Sequence, residues 1–192
     1  EQVSLKSYVK DGRLSKKGIK RLYRTLSKFK AVVDNFGDID GVYPFATATV
    51  RDVANRSDIL SLMKNDLDLD IEILSGEEEA KLAFVGAAVS SKIKEGVLCD
   101  IGGGSTEVVL IDQGKVIKSQ SLSIGSLSAF NDYVDGLFAD KSSKKKIEKR
   151  LIELFDNQSM YREDFKVLSA VGGTARAALK VYREYYDLED NI

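Results

Sequence analysis

The sequence predicts an α/β protein with two domains, and three observations support this. Apolar residues at helical spacing alternate with short β-rich runs in the first half. In the second half, short glycine-containing turns separate three consecutive β-rich runs. The 192 residues, 43% apolar and 31% charged, suffice for one large globular domain or two small ones. A polar turn at 91–96 marks the expected boundary, so we predict domains at 1–92 and 93–192.

The first half is expected to open with a helix at 15–36, since its apolar residues recur every three or four positions and Ser15 is a suitable N-cap. Its remaining elements are expected to be, in order, a strand at 42–49, a helix at 51–65, a strand at 71–74 and a helix at 75–90. This order is typical of a sheet with helices packed against it.

The outer face of the first helix is basic. It carries Lys16, Lys17, Lys20, Arg21, Arg24 and Lys28. Such a face is either an ordinary solvated surface or a surface that collects a long polyanion.

The second half is expected to begin with three strands joined by turns so short that neighbouring strands must be antiparallel. The predicted elements are strands at 97–101, 106–111 and 116–122, helices at 126–133 and 144–155, a strand at 167–171 and a helix at 175–186.

The composition excludes several kinds of protein. Lys and Arg total 29 and Asp and Glu total 30, which argues against a general nucleic-acid binder. The chain has no histidine, which excludes a histidine-based triad, a zinc site with histidine ligands and an imidazole general base. Cys99 is the only cysteine, which excludes an intrachain disulfide. The longest apolar stretch, 82–89, is far shorter than the roughly 20 residues of a membrane span. Carboxylates, lysines or tyrosines must carry any acid–base chemistry.

The strongest local motif is Asp100-Ile-Gly-Gly-Gly-Ser-Thr-Glu107, which lies between two β-rich runs. Three glycines allow a turn whose backbone N–H groups point into one concavity and bind a phosphate. Ser105 adds a hydroxyl donor, Asp100 is placed to hold a divalent cation, and Glu107 to join it. The alternative is a glycine-rich hairpin that binds nothing.

A second motif, Ser-Gly-Glu-Glu-Glu at 75–79, opens a predicted helix. Ser75 and Glu78 fit a capping box, which explains them structurally. Glu79 is expected to border an apolar face formed by Leu82, Ala83 and Gly86, and is therefore a candidate general base. The alternative is a surface acid.

Two further segments join a predicted strand to a predicted helix. Arg51 begins the helix after the strand at 42–49, and its forked cation suits phosphate. The alternative is a threonine N-cap followed by an exposed arginine. Gly172, Gly173 and Thr174 form the other junction, which is a second glycine-lined anion site or simply a close turn.

Five segments together resemble the exopolyphosphatase / guanosine pentaphosphate phosphohydrolase (Ppx/GppA) family over almost the whole chain. They are DGRLSKKGI at 11–19, ATATVRDVAN at 46–55, SGEEEA at 75–80, DIGGGSTE at 100–107 and VGGTARA at 171–177. DIGGGST alone recurs in actin-like ATPases and sugar kinases, so the specificity comes from the combination.

The resemblance implies the actin-like ATPase (ribonuclease H-like) fold, with two α/β domains facing across a cleft. It implies hydrolysis of the terminal phosphate of inorganic polyphosphate by Mg²⁺-assisted attack of water. Glu79 matches the catalytic carboxylate, Asp100 the metal-binding acid and Glu107 the acid that closes the loop. The matching phosphate-binding residues are Arg51, Gly102, Gly103, Gly104 and Ser105.

One departure is that the family's opening phosphate-binding hairpin, of the DxGSNS type, is absent. We therefore expect an incomplete first domain. The chain starts at Glu1 rather than Met and stops soon after a charged stretch at 180–190, so we expect a piece of a longer protein. We also expect a cytoplasmic location, a homodimer by analogy with the family, and no association with DNA, RNA or membranes.

Three alternatives stay open. The substrate is polyphosphate or guanosine pentaphosphate. A sensor on the same fold would bind guanosine pentaphosphate or tetraphosphate without hydrolysis, although the presence of Glu79 and Asp100 weighs against this. A sugar or acetate kinase shares the fold but places its base differently from SGEEEA.

Overall fold

The computed structural model describes residues 3–36, 39–91, 93–156 and 165–188. The chain divides into two compact units, Glu1–Ser75 and Gly76–Ile192. This division lies earlier than the boundary expected at 91–96. The reason is that helix α4 (Gly76–Ser90) packs on the sheet of the second unit. None of the helices in the described part of the chain is long and apolar enough to cross a membrane.

The first unit opens with a 3-10 turn and a hairpin that the sequence analysis missed. Strands β1 (Val9–Lys10) and β2 (Arg13–Leu14) pair around Asp11 and Gly12, whose φ angles are 49° and 69°. An Asp-Gly pair with both φ angles positive is the favoured sequence for this tight turn. Helix α1 (Lys16–Asp34) follows as predicted, and the Ser15 hydroxyl caps it by accepting the Gly18 N–H at 3.3 Å.

The rest of the first unit differs in detail from the expected elements. Its strands β3 (Phe45–Ala46) and β4 (Glu72–Ile73) form a two-stranded parallel sheet, and its helices are α2 (Ala48–Arg51) and α3 (Arg56–Leu67). The expected strand at 42–49 is too long, because α2 already begins at Ala48. The expected helix at 51–65 is interrupted between α2 and α3.

Asn55 explains that interruption. Its side chain is buried and bonds both backbone groups of Leu14, accepting the N–H at 2.9 Å and donating to the C=O at 3.0 Å. The nearby Ala54 N–H donates to the Gly12 C=O at 2.8 Å. These bonds tie the hairpin to the start of α3, so a contact 41 residues away in sequence overrides local helix propensity.

Replacing Asn55 by Ala is expected to destabilise the first unit by about 2–4 kcal/mol, because two buried backbone groups of Leu14 lose their partner. Denaturant unfolding and hydrogen exchange at the Leu14 amide would measure this. The matched control is Asn65→Ala, at an exposed position in α3, which should change stability by less than about 0.5 kcal/mol. Equal effects of the two substitutions would contradict this role for Asn55.

The second unit is built on a four-stranded sheet in the order β7-β6-β5-β8. Its strands are β5 (Gly96–Ile101), β6 (Thr106–Asp112), β7 (Lys115–Leu122) and β8 (Leu168–Val171). The first three are antiparallel, as predicted, and β8 runs parallel to β5. Its later helices are α5 (Ser126–Tyr133), α6 (Lys141–Asp156) and α7 (Gly172–Tyr185).

The two faces of this sheet are covered by different helices. On one face Leu98, Val109 and Ile111 pack against Ala80 and Ala87 of α4. The other face packs against α5 and α6 through Val108, Leu110, Leu122 and Ile124. Because side chains alternate along a strand, the odd positions of β6, Glu107 among them, face α4.

The apolar face expected beside Glu79 is not the buried one. Leu82 is 53% exposed and Gly86 is exposed, whereas Ala80, Phe84 and Ala87 turn toward the sheet. Packing on the sheet therefore determines which side of α4 is buried.

Candidate functional site

Three carboxylates meet on the α4 side of the sheet. Asp100 and Glu107 lie directly opposite each other on β5 and β6. Glu107 is 2% exposed, and burial raises its pKa. The negative charges of Glu79 and Asp100 raise it further, so Glu79 at the start of α4 and Asp100 on β5 each lie close to Glu107. The structure thus brings together three of the acids singled out from the sequence.

Ser121 holds Glu107 in place. It lies opposite Glu107 on β7, and its hydroxyl donates to Glu107 Oε1 at 2.7 Å. This bond and one from Ser105 oppose the effect of burial on the Glu107 pKa. The start of α4 sits on the same serine, since any side chain at Gly76 would collide with the Ser121 Cβ. Sequence reasoning missed Ser121 because no motif marks it.

Replacing Ser121 by Ala is expected to raise the pKa of Glu107, because the ionised carboxylate loses a donor. The loss should destabilise the protein by about 1.5–3 kcal/mol, as is typical for bonds to charged groups. A carboxyl NMR titration and thermal unfolding would measure the two effects.

Ser119→Ala is the matched control for this prediction. Ser119 lies two residues earlier on β7, and its buried hydroxyl has no hydrogen-bond partner within the described residues. Its removal should be neutral or slightly stabilising. An unchanged Glu107 pKa in Ser121→Ala would contradict the prediction.

The glycine loop (Gly102, Gly103 and Gly104) is hydrogen-bonded to the start of α5 through its carbonyl groups. The Gly102 C=O accepts the Ser126 N–H at 2.9 Å. The Gly103 C=O accepts the N–H groups of Leu127 at 3.0 Å and Ser128 at 2.9 Å. In a planar trans peptide the C=O and the following N–H point in opposite directions. The N–H groups of Gly103 and Gly104 therefore point away from α5. Successive backbone N–H groups on one side of a turn are suited to an anion.

Gly125 makes this close approach possible. A Cβ at this position would lie 2.6 Å from the Gly102 oxygen, 2.7 Å from the Gly103 carbonyl carbon and 2.8 Å from the Gly104 nitrogen. Sequence reasoning missed this residue as well, although its place between a strand and a helix was a usable signal.

The segment from Gly172 to Thr174 is the first turn of α7 rather than a turn that precedes the helix. Gly172 has a φ of +87° and lies against Asp100, so that a side chain there would collide with the Asp100 carboxylate. Thr174 contacts the start of α5, where its hydroxyl donates to the Ser126 hydroxyl at 3.3 Å. Gly173 is exposed.

Arg176, one turn into α7, is a further charged group near Asp100 that sequence reasoning missed. Burial raises the pKa of Asp100, and the positive charge of Arg176 opposes this effect. The Asp100 carboxylate thus lies between the start of α7 and the acids of β6 and α4.

Arg51 belongs to the first unit, whereas the site residues described above belong to the second. Its side chain is 17% exposed, and its guanidinium donates from Nη1 to the Leu74 C=O at 2.9 Å, with Nε 3.2 Å from Asp52. Within its unit, Arg51 therefore binds the backbone just beyond β4.

In the described part of the second unit, the acids do not form a complete metal site by themselves. Within the described ranges, no group of three or more His, Cys, Asp or Glu side chains is arranged to hold a metal. Asp100 and Glu107 supply two carboxylates beside a candidate phosphate loop. Mg²⁺ is commonly bound by one or two carboxylates together with substrate phosphates and water, so this pair fits that ion.

A family model described as the Ppx/GppA phosphatase family matches residues 1–187. The chain belongs to this family. Its α/β fold is shared by a solved Ppx/GppA structure from Aquifex aeolicus, which matches 96% of the chain with a TM-score of 0.71 and 26% identity.

Comparisons with individual proteins support this assignment of the chain to the Ppx/GppA family. The chain is 28% identical over 187 residues to the bifunctional 3-dehydroquinate synthase/phosphatase of Fusobacterium nucleatum, covering 92% of the chain and 28% of that protein. It is 32% identical over 99 residues to exopolyphosphatase 1 of Mycobacterium tuberculosis, covering 50% of the chain and 28% of that protein. The crystal structure of an exopolyphosphatase-like protein matches 95% of the chain with a TM-score of 0.82 and 25% identity. The chain spans 59% of that structure and 28% of each of the other two proteins. It therefore covers only part of the length of each relative.

Proposed function

We propose that this Ppx/GppA chain forms part of a phosphohydrolase that removes the terminal phosphate of inorganic polyphosphate. The observation that carries the proposal is the meeting of Glu79, Asp100 and Glu107 on one side of the sheet, next to a loop whose amides are oriented for an anion. The similarity to exopolyphosphatases supports the substrate class.

In this proposal, the N–H groups of Gly103 and Gly104 bind the oxygens of the terminal phosphate, while the buried Ser105 hydroxyl donates to Glu107. Such donors stabilise the charge that develops as the phosphoryl group is transferred.

Glu79 is the proposed general base. It takes a proton from water while the water oxygen forms a bond to the terminal phosphorus. The bond from that phosphorus to the bridging oxygen breaks, and its electrons stay on the shortened chain. The products are inorganic phosphate, a polyphosphate shorter by one unit and a proton that Glu79 returns to solvent.

Asp100 and Glu107 are the proposed holders of Mg²⁺, with the Ser121 hydroxyl lowering the pKa of Glu107 and Gly172 leaving room for Asp100. When bound, Mg²⁺ would offset the negative charge of the phosphate oxygens. We propose Gly173 and Thr174, at the start of α7, as further phosphate contacts.

Phosphate release with long-chain polyphosphate and guanosine pentaphosphate, each with Mg²⁺ and with a chelator, tests this function. We expect release from polyphosphate that stops with the chelator. Release from guanosine pentaphosphate alone would favour the pentaphosphate phosphohydrolase. Binding of guanosine tetraphosphate without release from either substrate would favour a sensor.

A further inference from the structure

One side of α1 carries a continuous row of cations. At 3.6 residues per turn the five side chains fall within an arc of about 100°, over a length of about 16 Å. They belong to Lys17, Lys20, Arg21, Arg24 and Lys28, and all are exposed. We call these five residues the α1 stripe.

Within α1 itself, no acid lies inside the arc of the α1 stripe. The single acid of α1, Asp34, lies at its end and pairs with Lys30 at 2.5 Å, outside the arc. Across the described ranges, no carboxylate forms an ion pair with Lys17, Lys20 or Arg24. Because the whole chain has a net charge of −1, the stripe is a local concentration of positive charge.

Helix α6 shows that a lysine-rich helix of this protein need not have such a face. Among its cations lie Glu148 and Glu153, and Arg150 pairs with Glu153 at 3.6 Å. The mixed signs of α6 are typical of a solvated surface helix.

We propose that the α1 stripe is a second binding site, which holds the part of a linear polyphosphate chain remote from the reacting end. This inference rests on the proposed function. A straight row of cations complements a polymer with a negative charge on every unit, and each phosphate neutralised adds affinity through counterion release. No aromatic side chain lies within the arc, whereas sites for single-stranded nucleic acid combine cations with aromatic stacking platforms.

The consequence is a preference for long chains. A polymer held at two places gains affinity from the high effective concentration of its second segment, and a short polyphosphate does not. Tripolyphosphate and long-chain polyphosphate should therefore respond differently to changes in the α1 stripe.

The test measures binding of fluorescently end-labelled long-chain polyphosphate by anisotropy across a salt titration. The protein is the full chain with Glu79→Gln, so that hydrolysis does not intervene. The test variant adds Lys17→Gln, Lys20→Gln and Arg24→Gln, which keep good helix formers at exposed positions. The matched control adds Lys144→Gln, Lys145→Gln and Lys149→Gln in α6, with the same change in net charge.

The α1 variant is expected to bind long-chain polyphosphate about tenfold or more weakly at low salt. The slope of log affinity against log salt should fall by about 2, since each lost contact to a single-stranded polyanion removes about 0.7. Its affinity for tripolyphosphate should stay within about twofold. The α6 variant should bind both probes like the parent protein.

Unchanged binding in the α1 variant, or an equal loss in both variants, would overturn the inference. So would equally tight binding of a single-stranded DNA of matched charge, which would indicate a nucleic-acid surface. Phosphate release by the unmodified chain separates this inference from the proposed function. If the unmodified chain releases phosphate but the α1 variant binds polyphosphate as tightly as the parent, only the inference is contradicted. If the α1 variant binds more weakly but the unmodified chain releases no phosphate, only the proposed hydrolase function is contradicted.

Discussion

Replacing Glu79 by Gln is expected to lower phosphate release from polyphosphate by about 10²–10⁴-fold, the range that a positioned general base contributes. The amide has nearly the same shape but accepts no proton from water. The substitution also removes a negative charge that raises the Glu107 pKa, so this pKa should fall. Polyphosphate affinity should be retained, because the proposed phosphate contacts lie on the glycine loop. Steady-state turnover and equilibrium binding would measure the two effects.

Glu77→Gln is the matched control for Glu79→Gln. Glu77 lies in the same turn of α4, is exposed, and pairs with Lys81 at 2.7 Å. Loss of an exposed pair of this kind costs about 0.3–0.5 kcal/mol and should leave turnover within about twofold. Comparable losses of turnover in the two variants would show that the acidic helix start matters as a whole, against a specific role of Glu79.

Replacing Gly125 by Ala is expected to lower kcat/KM by about 100-fold, the cost of a displacement of about 1 Å in a positioned group. The added methyl group would meet backbone atoms of Gly102, Gly103 and Gly104 at 2.6–2.8 Å, where no flexible side chain can yield. The loop must then move away from α5. We also expect a stability loss of about 1–3 kcal/mol from overpacking.

Gly86→Ala separates this loss of activity from a general effect of glycine replacement. Gly86 lies within α4, and a Cβ there would meet no atom within 4 Å. This substitution should stabilise the protein by up to about 1 kcal/mol, because Ala favours the helix, and should leave kcat/KM unchanged. Full activity of Gly125→Ala would contradict the role assigned to the contact between the loop and α5.

The second unit was predicted well because its elements are encoded locally. Helix α5 begins and ends where the sequence places it, and the strands β5 to β7 follow from apolar runs separated by short turns. The first unit was predicted less well, since the break between α2 and α3 depends on the distant contact of Asn55 with Leu14. Likewise, α4 packs on the sheet through contacts with residues distant in sequence, which no local pattern predicts.

The candidate site shows the same contrast. The glycines and the acids could be identified because they form motifs along the chain. No motif marks Ser121, and Gly125 is marked only by its place between a strand and a helix, because each acts through a neighbour on another element. Their roles follow from register and close approach, which exist only in the folded unit.

Phosphate release in water enriched in ¹⁸O tests the central claim, attack of water on the terminal phosphorus, most directly. Long-chain polyphosphate would be incubated with the full chain and Mg²⁺, and the released phosphate analysed by mass spectrometry. We expect one ¹⁸O atom in each released phosphate and a stepwise shortening of the chain from its end. Transfer of the phosphoryl group to another acceptor, or phosphate released without ¹⁸O, would contradict it.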